Sequence, residues 1–204
     1  MGASLSENCT LTSDETQDYA NQTHFNETEV KALWHHFRTI STADGLDFIG
    51  RDDFQAALRF RDSFLLDRIF KIFDKNADGQ ITFMEFLFCL STISSKATQH
   101  EKLQLSFQIY DMDTDGYISV NELTKLLTCT LREHELKITE EEIDTIVETT
   151  FKEADVGLPG MMTFTEFENI VSKTPYVLTH LTLDISKIIE EYCTNSNIAF
   201  TPRS

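Results

Sequence analysis

Long hydrophobic runs are missing from this 204-residue chain. No apolar stretch reaches the roughly 18 residues that a bilayer-spanning helix requires, so no membrane span is expected. The N-terminal stretch mixes polar and small residues around no greasy centre, and we expect no secretory leader and a reducing, cytoplasmic setting. On that expectation the Asn-x-Thr sequons at Asn8, Asn21 and Asn26 stay unglycosylated. Basic residues are scarce too: 17 Lys and Arg stand against 34 Asp and Glu, for a net charge of -17. Such a chain repels phosphate backbones and anionic surfaces, so nucleic acid is not expected as a partner, whereas cations and basic peptides suit it. The four cysteines, Cys9, Cys89, Cys129 and Cys193, are too dispersed for a zinc site; Cys89 and Cys129 fall in apolar helical patterns as small buried hydrophobes. Neither a nucleophile-and-base pattern nor a phosphate-cradling loop occurs, so we expect no catalysis and no small-molecule substrate.

What is present is a hydrophobic content of 41%, enough for a core in one or two domains. Residues 1–25 are rich in Ser, Thr, Asn and Gln with few large apolar side chains, and read as a mobile tail. A helix is expected from Glu27, with Val30, Leu33, Trp34 and Phe37 at helical spacing and Asn26 and Glu29 placed as a capping box. Beyond it one plan repeats: amphipathic helix, short loop rich in Asp and Gly, then a helix opening on Asp53-Phe54, Glu85-Phe86, Glu122-Leu123 or Glu166-Phe167. Four such hands fit the length. The polar stretch Ser91 to Gln99 suits a join between two lobes, which places hands one and two in residues 26–93 and hands three and four in 100–174. A last amphipathic segment, 175–204, follows Pro175 with Leu178, Leu181, Ile185, Ile188 and Ile189 on one face.

The second and third loops carry chemistry. A hard cation takes about six to eight oxygens, and a short loop supplies them only if it turns sharply midway. Asp74, Asn76 and Asp78 offer side-chain oxygens at the first, third and fifth loop positions, Gln80 its carbonyl at the seventh, Thr82 a water-bridging site at the ninth, and Glu85 two oxygens at the twelfth. Gly79 permits the bend, and Ile81 can pair in a short strand with a neighbouring loop. The third loop repeats this with Asp111, Asp113, Asp115, Gly116, Tyr117, Ser119 and Glu122 around Ile118. These are calcium loops of the EF-hand type, and two calcium ions are expected, one in each. Inside so complete a loop, Asp111-x-Asp113 is not the carboxylate pair of a metal-dependent transferase.

The outer hands are degraded. Aligned on Glu166, the fourth reads Asp155, Gly157, Pro159 and Gly160 at its first, third, fifth and sixth positions, two of which offer no side-chain oxygen, so we expect a structural hand. In the first hand Ile49 and Asp53 suit the eighth and twelfth positions, which puts Thr42 at the first and Asp47 where glycine belongs. Asp44, Asp47, Asp52 and Asp53 leave two readings open there, a remodelled site or a structural turn.

The aromatic positions Phe70, Phe73, Phe86, Phe88, Phe107, Phe151, Phe164 and Phe167 fall at core spacing, although 16 phenylalanines also leave room for an apolar groove that takes a partner helix. His35 and His36 point to different helical faces and make no metal site. The start Met1-Gly2-Ala3-Ser4-Leu5-Ser6 fits N-myristoylation at Gly2. With no Lys or Arg before Lys31, one acyl chain gives only weak, reversible membrane contact.

With the hands placed, residues 27–190 resemble the calcineurin B and plant calcineurin B-like sensor family. The stretches that carry this are Asp44-Gly45-Leu46 ahead of Asp52-Asp53-Phe54, then Asp67-Arg68-Ile69-Phe70, Ser106 to Asp111, Thr150 to Asp155, and Leu181-Thr182-Leu183 after Pro175. The resemblance implies an all-α fold of four EF-hands in two paired lobes plus a C-terminal helix. It further implies a non-catalytic regulatory subunit that docks an amphipathic helix of a serine/threonine kinase or phosphatase catalytic chain, with the helix from Leu178 able to occupy or close the groove. Ala3 stands where some members carry a palmitoylated cysteine, and Ile198 to Arg203 does not match the plant-type phosphorylatable tail. The expectation is thus a calcium sensor or regulatory subunit; a calcium buffer and a constitutive structural EF-hand subunit are the alternatives.

Overall fold

A computed structural model describes residues 11–41, 47–58, 63–94, 96–133, 135–154 and 156–173. The expectations for Gly2, Thr42, Asp44, Asp155 and the segment from Pro175 onward lie outside these residues.

One local device starts most of the helices. A Ser, Thr or Asn side chain accepts a backbone N–H of the first turn, while a Glu three residues on reaches back to the cap. It opens α1 (Ser13–Gln22) through Thr12 and Glu15 and α2 (Glu27–Ile40) through Asn26 and Glu29, as expected for the latter. After β1 (Phe48–Ile49), α3 (Arg51–Leu58), α4 (Ser63–Phe73) and β2 (Ile81–Thr82), it recurs at α5 (Phe83–Ile93) with Thr82 and Glu85, and at α6 (Gln99–Tyr110) with Thr98 and Glu101. Following β3 (Tyr117–Ser119), Ser119 and Glu122 open α7 (Val120–Glu133), and Thr139 and Glu142 open α8 (Glu140–Ala154). The last described strand, β4 (Met161–Thr163), leads into α9 (Phe164–Lys173) through Thr163 and Glu166.

The loops pair as adjacent hands. β1 runs antiparallel to β2 with Ile49 opposite Ile81, and β3 to β4 with Ile118 opposite Met162. Each of these residues holds the eighth position of its loop, and each is buried, so one apolar pair pins two loops back to back. The buried side chains form one continuous cluster through both hand pairs, because α4 and α5 pack on α6 and α4 also packs on α7.

The tail expected over residues 1–25 is corrected from Thr12 onward. Ser13–Gln22 form a helix packed on α2, and its few apolar groups are well placed: Tyr19 meets the Phe83 ring edge-on at 5.5 Å, and Phe25 is buried. The His24 backbone N–H donates to Ser91 Oγ at 2.9 Å, and its ring lies 3.0 Å from Glu101. Composition averaged over the segment hid this, since two aromatic anchors and a capping box suffice when a formed surface waits to receive them. The polar join is also shorter than Ser91 to Gln99: α5 carries on to Ile93, α6 starts at Gln99, Ser91 and Ser94 are buried, and Lys96 bonds Glu29 at 2.6 Å.

Of the expected core aromatics, Phe70, Phe73, Phe86, Phe107, Phe151 and Phe167 are buried, while Phe88 and Phe164 are half-buried. His35 is exposed and His36 buried on α2. Cys89 and Cys129 are buried thiols, and burial pushes the Cys89 thiol up to about 12 against the pull of Lys75.

The Phe83 ring lies 4.9 Å from Trp34 and 5.4 Å from Phe37 as well as against Tyr19. Phe83→Ala is therefore expected to cost about 3–5 kcal/mol in urea unfolding. A loss under about 1 kcal/mol would contradict its place as the joint between α1, α2 and α5.

Candidate metal centres

Each complete loop leaves a helix through a closed last turn. The Asp74 N–H donates to Phe70 O at 2.8 Å and the Asp111 N–H to Phe107 O at 2.9 Å, so both aspartates begin their loops at the end of a rigid element and are themselves buried. From there the loop winds around its own carboxylates. Asp74 accepts the N–H groups of Asp78 at 3.1 Å and Gly79 at 2.9 Å; Asp111 accepts those of Asp115 at 3.1 Å and Gly116 at 3.0 Å. Asn76 and Asp113 accept the same Asp78 and Asp115 N–H groups at 3.0 and 3.2 Å. The bend is a left-handed backbone at Gly79 (φ 82°) and Gly116 (φ 88°), which glycine adopts without the clash a Cβ brings.

The twelfth residue closes the loop from the other side. Glu85 Oε1 accepts the N–H groups of Lys75 and Asn76 at 3.0 and 3.3 Å, and Oε2 accepts the Thr82 N–H at 2.9 Å and hydroxyl at 2.7 Å. Glu122 does the same with Met112 and Asp113 at 2.7 and 3.4 Å and with the Ser119 N–H and hydroxyl at 2.8 and 2.7 Å. Partial burial acts to raise the Glu122 carboxyl, but the hydrogen bonds from Ser119, Met112 and Asp113 outweigh it and hold it below the usual range.

The donor set suits a hard cation. Carboxylate oxygens of Asp111, Asp113 and Asp115 all lie within 4.8 Å of one another, with Glu122 folded over the same loop. Asp74, Asn76, Asp78 and Glu85 are drawn together by the equivalent bonds. Gln80 sits just ahead of β2 and Tyr117 opens β3, their N–H groups donating to Asp78 and Asp115 at 2.9 Å. Thr82 and Ser119 have a second role beyond the water-bridging one expected of them: their hydroxyls are helix caps bonded to Glu85 and Glu122. The Thr-x-x-Glu and Ser-x-x-Glu spacing was the available signal.

The outer hands differ. In the fourth, Glu166 Oε1 accepts the Gly157 N–H at 2.8 Å and Oε2 the Thr163 N–H and hydroxyl, each at 2.8 Å, while Leu158 and Met161 bridge across the loop. The Gly157 and Thr163 backbone bonds hold the Glu166 carboxyl below its ordinary value against a small desolvation effect. In the first, Asp47 is taken by an ion pair with Arg38, and Asp52 lies 3.9 Å from Arg51. Among the described residues no helix is long and apolar enough to cross a membrane.

Comparison with known proteins agrees with this geometry. A family model for an EF-hand domain pair matches residues 100–172, and one for an EF hand domain matches 65–93. The chain is 32% identical over 174 residues to the type 2 calcineurin B protein of Dictyostelium discoideum, covering 85% of this chain and 91% of that one. It is 31% identical to the calcineurin B protein of Naegleria gruberi over 84% of this chain and 93% of that protein, and 33% identical to calcineurin B-like protein 5 of Arabidopsis thaliana over 83% and 86%. Fold, loops and relatives together define an EF-hand calcium-binding protein. More narrowly, the chain belongs to the calcineurin B and calcineurin B-like family. Calcineurin B proteins are non-catalytic, and this protein is a non-catalytic member of the same group.

Because the folded-state Glu166 value is depressed below 4.5, its stabilising contribution is fully present above that pH and fades as the pH falls beneath it. In chelator, the gap in unfolding free energy between the parent chain and Glu166→Gln is expected to narrow on acidification below pH 4.5. A gap that does not change with pH contradicts the loop-closing role.

Proposed function

We propose that this protein is a calcium sensor in which hands two and three each bind one ion, and whose loaded form docks an amphipathic helix of a serine/threonine kinase or phosphatase catalytic chain. The observation that carries the reading is the convergence of the Asp111, Asp113 and Asp115 carboxylates inside a loop already closed by Glu122. Asp74, Asn76 and Asp78, with Gln80, Thr82 and Glu85, form the matching set in hand two, and Tyr117 and Ser119 complete hand three. Calcium supplies a central charge that these oxygens can surround; the chain supplies the turn and the closing glutamate.

Hand four is proposed to work without metal, since Gly157 and Pro159 stand where side-chain oxygens are needed and Glu166 is already bonded to the loop. The names of the relatives support a phosphatase- or kinase-linked partner in general terms. Two lobes, 26–93 and 100–174, would then flank one target groove, with the segment 175–204 as its cover. A cytoplasmic location and myristoylation of Gly2 belong to the same proposal; an intact mass carrying a myristoyl increment that Gly2→Ala abolishes supports it.

Calorimetric titration of the metal-free chain tests the core of the reading. Two ions per chain are expected, falling to one high-affinity ion in Glu85→Gln or Glu122→Gln and to none in the double variant. A stoichiometry unchanged by either substitution overturns the assignment. With an environment-sensitive dye, calcium is expected to raise apolar exposure; binding without such a rise favours a buffer.

A further inference from the structure

Arg68 stands on α4 six residues ahead of Asp74, about 9 Å along the axis from the start of loop two. Its side chain nevertheless leaves hand two and is only 6% exposed. Nε donates to the Ile109 carbonyl at 2.9 Å, Nη1 to that of Met112 at 3.3 Å, and Nη2 to those of Gln108 and Asp111. Gln108 and Ile109 belong to the last turn of α6; Asp111 and Met112 open loop three. A buried guanidinium is tolerable only when its donors are satisfied, and these partners include carbonyls that a helix C-terminus leaves over. The positive head also lies where the α6 dipole is negative.

The far side of the same backbone matters as much. The peptide whose carbonyl is Asp111 O has the Met112 N–H on its other edge, and that N–H donates to Glu122 Oε1 at 2.7 Å. The next peptide carries Met112 O toward Arg68 and the Asp113 N–H toward Glu122 at 3.4 Å. Two successive peptide planes of loop three are thus gripped between a guanidinium from hand two and the loop's own closing carboxylate. α4 touches hand three a second time through Lys125, whose Nζ lies 3.9 Å over the Phe64 ring, and it packs on both α6 and α7.

From this geometry we infer that Arg68 is a positioning residue that couples hand two to hand three, so that metal in one loop changes the calcium affinity of the other. The inference rests on the reading that both loops bind calcium. Any reorientation of α4 when loop two takes metal moves the guanidinium and, with it, the two peptide planes on which Glu122 rests. Because binding linkage is reciprocal, loop three acts back on loop two by the same factor.

The test is a calcium titration of the full chain by amide NMR, with the Gly79 resonance reporting loop two and Gly116 reporting loop three. With Arg68 in place, disabling loop two by Glu85→Gln is expected to weaken loop three by at least about 5-fold, and in an Arg68→Met background by less than about 2-fold. An equal weakening in both backgrounds overturns the inference, and reduces Arg68 to a stabilising contact whose removal lowers thermal stability alone. Arg68→Lys keeps the charge without the fork and is expected to lose most of the coupling; full coupling in Arg68→Lys overturns the inference, and this variant carries the comparison if Arg68→Met does not fold. Glu85→Gln by itself is decisive too, since a loop-three affinity indifferent to it leaves nothing to couple. No calcium response at Gly79 or Gly116 in the parent chain overturns the functional reading and this inference together, whereas independent responses at both overturn the inference alone.

Discussion

The closing glutamate of loops two, three and four is a single carboxylate asked to satisfy two structures. In Glu85, Glu122 and Glu166 one oxygen holds the N–H groups at the loop's beginning and the other holds the Ser or Thr that caps the helix leaving it. Loop closure and helix start are therefore one event. The back-to-back strands, the burial of Ile81, Ile118 and Met162, and the angle at which α5, α7 and α9 depart follow from that shared anchor. Any cation drawn to Asp111, Asp113 and Asp115 arrives beside the group that sets this angle, which is how a local charge can bias helix packing.

Much of this could be read in the sequence because it is written in side chains with strict positional demands. Only glycine relaxes into the left-handed bends at Gly79 and Gly116, and only oxygen-bearing residues fill the alternate positions before them. The eighth-position residues Ile49, Ile81 and Ile118 likewise announced strands that pair. What escaped notice depends on surfaces formed elsewhere in the fold. α1 holds because Phe83 and Ser91, far along the chain, present an aromatic face and a hydroxyl to Tyr19 and His24; its composition alone resembles a tail. Arg68 reads as one more charged residue on an amphipathic helix until α6 supplies its carbonyls.

These long-range contacts change how the two hand pairs relate. A single apolar cluster passes through both, and α4 serves at once as the entry helix of hand two and as a wall of hand three. Complete loops in adjoining pairs, each back to back with a degraded partner, then have two lines of communication: the strand ladder within a pair and the α4 contacts between pairs. The degraded loops still contribute, because Glu166 closes hand four with the same bonds its neighbours use.

The central proposal is that the two complete loops hold the metal. Calcium anomalous scattering from crystals of the loaded chain tests this most directly. One peak within loop 74–85 and one within loop 111–122 is the predicted result; a missing peak at either, or a peak of equal height at hand one or hand four, would contradict the account.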